Sequence, residues 1–300
     1  MTQTRRDTLG LLAGAAAAAT IPVTAQANVK HMQVAGAEIA WESHGSGAPI
    51  LLLNRFRGTI SDWDPAFIDS LAHHHRVITF DSVGVGESGG EVPETLEGAA
   101  DVAIGLADAL GLEAPNILGW SMGGMIAQIV AAKYSARLGR VVLAGTTPSY
   151  RTAGTVPAPQ EWLATAGKEI NTAEDMHFLF YGESESSRAA GLASLERIGG
   201  GDAAAGARAK STMATLAVQA AATRAFLTGE DGAFETLGRI SSPVFVANGD
   251  QDRAFQVENS LALARAIPNA QLAIYPNSGH AFHFQHIERF TSDVTRFLAR

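Results

Sequence analysis

Short apolar runs recur along this chain at Ile50–Leu53, Val77–Phe80, Asn116–Leu118, Val141–Ala144, Val244–Ala247 and Leu272–Tyr275. Longer stretches with apolar residues at helical spacing stand between and after them, at Phe67–Ala72, Leu96–Leu110, Met122–Tyr134, Glu258–Ala266 and Ile287–Leu298. A short run that is apolar at every position suits a strand covered on both faces. Strands of this kind alternating with helices predict an α/β domain: a mostly parallel central sheet with helices on both faces. Two further short strands are expected around Gly36, over Val34–Trp41. Between about residues 151 and 238 the alternation stops, and the sequence reads as helices with joints such as Gly199-Gly200-Gly201. The expectation is a single α/β domain over 28–300 with a helical cap inserted at 151–238 and no internal repeat.

The chain has 300 residues, 46% hydrophobic and 17% charged, which supports a full core and excludes a wholly disordered chain. The formal charge of −8 argues against a nucleic-acid-binding surface, which needs clustered Lys and Arg. With no cysteine, disulfides, thiolate catalysis and Cys-ligated metals are excluded. At the start, Arg5-Arg6 precedes a soft apolar run from Leu9 to Ile21, and Ala25-Gln26-Ala27 supplies a small-x-small cleavage pattern. Residues 1–27 therefore read as a secretory signal of twin-arginine type, with a periplasmic or secreted product and no stable membrane insertion after cleavage.

The sharpest chemical signal is Gly119-Trp120-Ser121-Met122-Gly123, placed between an expected strand and an expected helix. A strand that turns at once into a helix presents its serine clear of the backbone, and the tight turn demands small flanking residues. Ser121 is then a candidate nucleophile, and the Met122 N–H, at the positive end of the helix, a candidate oxyanion donor.

On these residues the chain from Val29 to Arg300 resembles the α/β-hydrolase superfamily, in its cap-bearing serine hydrolase branch of esterases, lactonases, perhydrolases and carbon–carbon bond hydrolases. The resemblance implies the α/β-hydrolase fold and the chain order nucleophile, acid, histidine. It places the acid after Val244–Ala247, three residues beyond Gly249, at Asp252; Asp250 is the competing choice, with a turn role as its ordinary one. It places the histidine in Asn277-Ser278-Gly279-His280, with His283 and His286 left as surface or packing residues. It also implies acyl transfer to water with a small-molecule substrate, and needs neither a metal nor an organic cofactor. Epoxide hydrolases and haloalkane dehalogenases of this fold carry Asp as nucleophile, so Ser121 argues against both. A non-catalytic binding protein on the same fold is the reading of another class.

One stretch departs from the family. Where the family has His-Gly-X after the third strand, this chain has Asn54-Arg55-Phe56, which makes Phe56 the expected second oxyanion N–H donor. Arg55 stands where a glycine would ease the backbone. Arg55 or Arg57 is expected either to bind an anionic substrate group at the pocket mouth or to pair with Asp62 or Asp64. Trp120 is expected to line the pocket beside Phe56. The aromatics Trp162, Phe178, Phe180, Tyr181, Phe226 and Phe234 suggest an apolar cap surface, each with core packing as its plainer role. His73-His74-His75 reads as a solvated helix end rather than a metal site, since consecutive residues point different ways. Gly84-Val85-Gly86-Glu87-Ser88-Gly89 matches a dinucleotide fingerprint in letters only, because no helix opens from it.

Overall fold

A computed structural model describes residues 29–199 and 211–300, the side chain of Phe234 excepted. The expected signal segment and the joint at Gly200-Gly201 lie outside the described residues. The strands are β1 (Lys30–Val34), β2 (Ala37–His44), β3 (Pro49–Leu53), β4 (Arg76–Phe80), β5 (Asn116–Trp120), β6 (Val141–Ala144), β7 (Val244–Gly249) and β8 (Gln271–Tyr275). They form one sheet in the order β1-β2-β4-β3-β5-β6-β7-β8, antiparallel at β1/β2/β4 and parallel from β4 through β8. The apolar runs are the inner strands, and Ile50, Leu51, Leu52, Val77, Ile78, Ile117 and Leu118 are all fully buried.

After β3 the chain passes to β4 on one side, then returns to β5 on the other. That reversal separates the loops leaving the carboxyl ends of β3 and β5 and opens a crevice there, the usual ligand position in an open α/β sheet. The helices start where local chemistry caps them. Asp64 accepts from the Ala66 N–H, with Pro65 in the first turn of α1 (Pro65–Ala72), and Thr95 accepts from the Gly98 N–H ahead of α2 (Leu96–Ala109). Helix α3 (Met122–Tyr134) is buried from Met122 through Ala131, which fits its near absence of polar side chains.

Between β6 and β7 no strand occurs among the described residues. The chain instead forms α4 (Gln160–Ala166), α5 (Ala173–Phe180), α6 (Glu185–Gly199) and α7 (Met213–Thr228). Thr172 and Asp175 cap α5 reciprocally, and Gly229, at φ 74°, ends α7 in the left-handed conformation that glycine tolerates. The chain closes with α8 (Val257–Ala266), the short α9 (Phe282–Gln285) and α10 (Ile287–Leu298).

One expectation needs adjusting. His75 is buried and bonded to Thr295 Oγ1 at 3.2 Å, so of the three consecutive histidines only His73 and His74 form a solvated helix end. The loop Gly84–Gly89 opens no helix; it wraps the buried Asp81 carboxylate, which accepts from the Glu87 N–H at 2.7 Å, and α2 begins only at Leu96. A Cβ at Gly86 would stand 2.1 Å from Asp81 Oδ2, so this glycine makes room for a protein carboxylate. Among the described residues, no helix is long and apolar enough to cross a membrane, and no three metal-ligating side chains cluster.

Candidate active site

Ser121 sits at the turn from β5 to α3 with φ 59° and ψ −119°, a conformation that non-glycine residues rarely hold. The surroundings enforce it. A Cβ at Gly119 would approach the Gly123 carbonyl oxygen to 2.2 Å, and one at Gly123 would approach the Leu53 carbonyl oxygen to 2.1 Å. Helix α3 can therefore lie against the ends of β3 and β5 only with glycine at both positions. The Ser121 N–H donates to the Ala144 carbonyl at 3.0 Å, and Thr146 Oγ1 donates to the Ser121 carbonyl at 2.8 Å, which ties the elbow to the loop after β6. The Met122 N–H heads α3, where a helix leaves its first N–H groups without an intrahelical acceptor.

His280 Nδ1 lies 2.8 Å from Asp252 Oδ2, and both side chains are buried. The other Asp252 oxygen accepts from the Ala254 and Phe255 N–H groups at 2.7 and 3.0 Å, so the carboxylate is fixed before it meets the imidazole. With Nδ1–H donated to Asp252, Nε2 is left as the basic nitrogen. Asp250 is exposed, and its carboxylate accepts from the Ser278 N–H at 3.1 Å, which gives it the turn role. Gly279 lets the histidine loop run under the cap: a Cβ there would stand 2.7 Å from the Phe180 carbonyl oxygen, and the Ala281 N–H donates to that same oxygen.

Ser121 and His280 open onto one cavity of about 320 Å³ between the sheet and the cap. Phe56 lines it, as do Trp162, Met176, Leu179 and Phe180 from the cap. Met176 and Leu179 carry no signal in sequence beyond their spacing on α5, which marks an apolar face but not what it faces. Phe178 packs under the Arg253 guanidinium, Tyr181 and Phe226 are buried, and the Phe234 side chain lies outside the described residues.

The loop after β3 holds the expected irregularity one step later than expected. Asn54 is buried and donates to the Phe80 carbonyl at 2.8 Å. The left-handed residue is Arg57, at φ 61°, and not Arg55. The Arg57 N–H donates to Gln219 Oε1 on α7, and its guanidinium donates to the carbonyls of Lys168 and Glu169, so this loop is bound to the cap. Arg55 and Arg57 both line the cavity that Ser121 and His280 share. The Arg55 side chain is only 14% exposed, and its guanidinium pairs with Asp62 at 2.5 Å, donates to the Phe56 carbonyl at 2.9 Å and lies 5.1 Å from the Phe180 ring. Asp64 pairs instead with Arg197 of α6 at 2.6 Å.

Trp120 also differs from expectation. It is 2% exposed and absent from the lining of the cavity around Ser121. Its indole N–H donates to the His280 carbonyl at 3.1 Å from beneath. Behind it lies His283, fully buried in α9 with the Trp120 and Phe284 rings 4.6 and 4.2 Å away. Among the described residues neither His283 nitrogen has a hydrogen-bond partner, and burial holds its pKa well below the ordinary histidine value. His286 is partly exposed and bonds the Pro276 carbonyl.

Known proteins resemble this chain along most of its length. A Rhizobium rhizogenes (strain K84) protein provisionally named carbamate hydrolase RutD is 28% identical over 266 residues, 86% of this chain and 97% of its own. The 2-hydroxymuconate semialdehyde hydrolase of Pseudomonas putida is 29% identical over 289 residues, covering 90% and 94%. An α/β-hydrolase fold protein from Chitinophaga pinensis superposes with a TM-score of 0.74 at 26% identity, covering 91% and 97%. These relatives are named hydrolases, and this chain is likewise a hydrolase. The sequence model of the alpha/beta hydrolase family matches residues 43–293, and the chain belongs to that family.

Proposed function

We propose that the protein is a serine hydrolase that cleaves a small-molecule ester or lactone through an acyl-enzyme. The observation that carries this reading is the buried His280–Asp252 contact of 2.8 Å at the edge of a cavity that Ser121 shares. In the proposed reaction Ser121 Oγ attacks the substrate carbonyl carbon while His280 Nε2 takes the hydroxyl proton. Asp252 holds the imidazole and stabilises its cationic form. The N–H groups of Met122 and Phe56 receive the oxyanion. Collapse expels the alcohol, which leaves with the proton from His280. Water then repeats the sequence on the acyl-enzyme, releasing the acid and free Ser121.

Fluorophosphonate labelling followed by peptide mapping tests this reading. A single adduct on Ser121, lost in His280→Ala, is the expected result. No adduct under conditions that label a control esterase refutes it.

A second reading is hydrolysis of a carbon–carbon bond next to a carbonyl, favoured by the resemblance to the Pseudomonas putida enzyme along 90% of this chain. The two separate on product analysis: an ester hydrolase releases an alcohol, a carbon–carbon hydrolase a second carbonyl compound or an enol.

A further inference from the structure

Behind the cavity at Ser121 lies a second chamber of about 20 Å³, room for little more than one water. The two spaces have six lining residues in common: Arg55, Asp62, Met176, Phe180, Leu195 and Ile198. Ser121 and His280 border only the front space; Trp120, Tyr181, Ala281 and Phe284 border only the rear one. The partition between them contains a charged pair in otherwise apolar walls. Arg55 is clamped there by Asp62 at 2.5 Å and by the Phe56 carbonyl at 2.9 Å, with its guanidinium 5.1 and 5.7 Å from the Phe180 and Trp120 rings. A long side chain with this many anchors is a fixed wall, and an apolar tail that entered it would have to displace an ion pair that is mostly shielded from water.

We propose that the Arg55–Asp62 pair is a plug that limits the length of the apolar chain a substrate can bring to Ser121, and that Arg55 is thereby a specificity-determining residue. The inference deepens the acyl-transfer reading and rests on it for its kinetic test. Shortening Arg55 joins the two spaces and turns the rear rings into a site for an alkyl or aryl tail. Asp62 then keeps the Thr59 N–H and hydroxyl as partners at 2.8 and 2.9 Å, so the change leaves its carboxylate hydrogen-bonded.

The test compares kcat/KM across p-nitrophenyl esters from butyrate to octanoate, and across acetates of straight-chain alcohols of the same lengths. In Arg55→Ala the octanoate-to-butyrate ratio, or its counterpart in the alcohol series, rises at least tenfold, at about fourfold per newly buried methylene. Arg55→Met keeps the bulk but loses the clamp by Asp62 and the Phe56 carbonyl, so its ratio rises by less than that of Arg55→Ala. Arg55→Gln keeps a donor for Asp62 but is shorter; it gives a smaller rise and carries the test if Arg55→Ala does not fold. Quenching of tryptophan fluorescence by straight-chain alcohols reads the same space without chemistry, and the octanol-to-butanol affinity ratio rises in Arg55→Ala even if Ser121 proves not to be a nucleophile. Unchanged ratios in both series and in the binding assay overturn the plug, as does a rise in Arg55→Met equal to that in Arg55→Ala. Absence of all esterase activity together with an unlabelled Ser121 overturns the acyl-transfer reading instead, and leaves the binding ratio to decide the plug.

Discussion

The sheet and the cap are held in place by different means. In the sheet, close approach decides: Gly119 and Gly123 admit no side chain, and the strands around them are apolar on both faces. The cap shares that apolar core through Leu179, Phe180, Tyr181 and Phe226, and adds polar ties. Asp64, fully buried at the head of α1, accepts from Ser194 Oγ at 2.7 Å and from the Arg197 guanidinium. Arg57 reaches the Lys168 and Glu169 carbonyls, and Arg253, next to Asp252, donates to the Phe178 carbonyl at 3.0 Å. The Ala281 N–H, one residue beyond His280, donates to the Phe180 carbonyl at 2.8 Å. Three of the loops at the candidate site are thus bonded to the cap. The contrast teaches that steric fit fixes where Ser121 stands, whereas hydrogen bonds add to apolar packing in fixing what surrounds it.

The largest test of this contrast falls on the sheet side. Ser121→Ala lowers kcat by about 10⁴-fold or more with little change in melting temperature, as esterase assays and a thermal melt will show. Retained activity would remove the serine from the chemistry. Gly123→Ala brings a methyl group against the Leu53 carbonyl, so it costs about 3 kcal/mol or more in denaturant unfolding and abolishes labelling of Ser121. On the cap side, Arg197→Met strands the Asp64 carboxylate with Ser194 alone among its side-chain partners. Because Arg197 is partly exposed, the expected cost is about 2–3 kcal/mol, below that of a fully enclosed pair. The cap should become protease-sensitive in this variant while the sheet stays protected. Equal sensitivity of both regions would break the contrast.

A smaller test uses pH. His283 stays neutral in the folded protein because burial lowers its pKa, whereas in the unfolded chain it takes up a proton below about pH 6.5. The unfolded state then binds more protons, so stability falls as pH drops below that value, by up to about 1.4 kcal/mol per pH unit from this group. Asp81 acts in the opposite sense. Burial raises its pKa to about 6, so between about pH 4 and 6 the folded state holds the extra proton, and this group's contribution weakens as pH rises through that window. His283→Phe removes the first effect alone, and the melting temperatures at pH 5 and pH 7.5 should draw closer than in the parent. A pH 5 deficit that persists unchanged would assign the effect to the other histidines whose pKa burial lowers, His75 and His177.

The sheet was largely legible from sequence because burial on both faces leaves runs such as Leu51-Leu52-Leu53 no polar position, and because the strand–turn–helix context of Gly119–Gly123 admits few alternatives. Asp252 over Asp250 was legible only through the resemblance. The cap was legible as helix and no further: an Arg or an Asp in sequence does not say which carbonyl or guanidinium it will meet. Arg57 and Arg253 as ties to the cap, and Trp120 beneath His280 instead of beside the substrate, depend on segments more than fifty residues apart in the chain. The left-handed turn at Arg57 was hidden for a related reason, since Gln219 of the cap holds its N–H.

The backbone of Ser121 stands at φ 59° and ψ −119°. A serine there sits about 1–3 kcal/mol above a relaxed conformation, whereas glycine would occupy the same angles without strain. Ser121→Gly should therefore fold at least as well as the parent and do no chemistry. In a population of variants screened only for solubility or heat resistance, position 121 would drift toward glycine, and the hydroxyl would persist only where turnover itself is under selection.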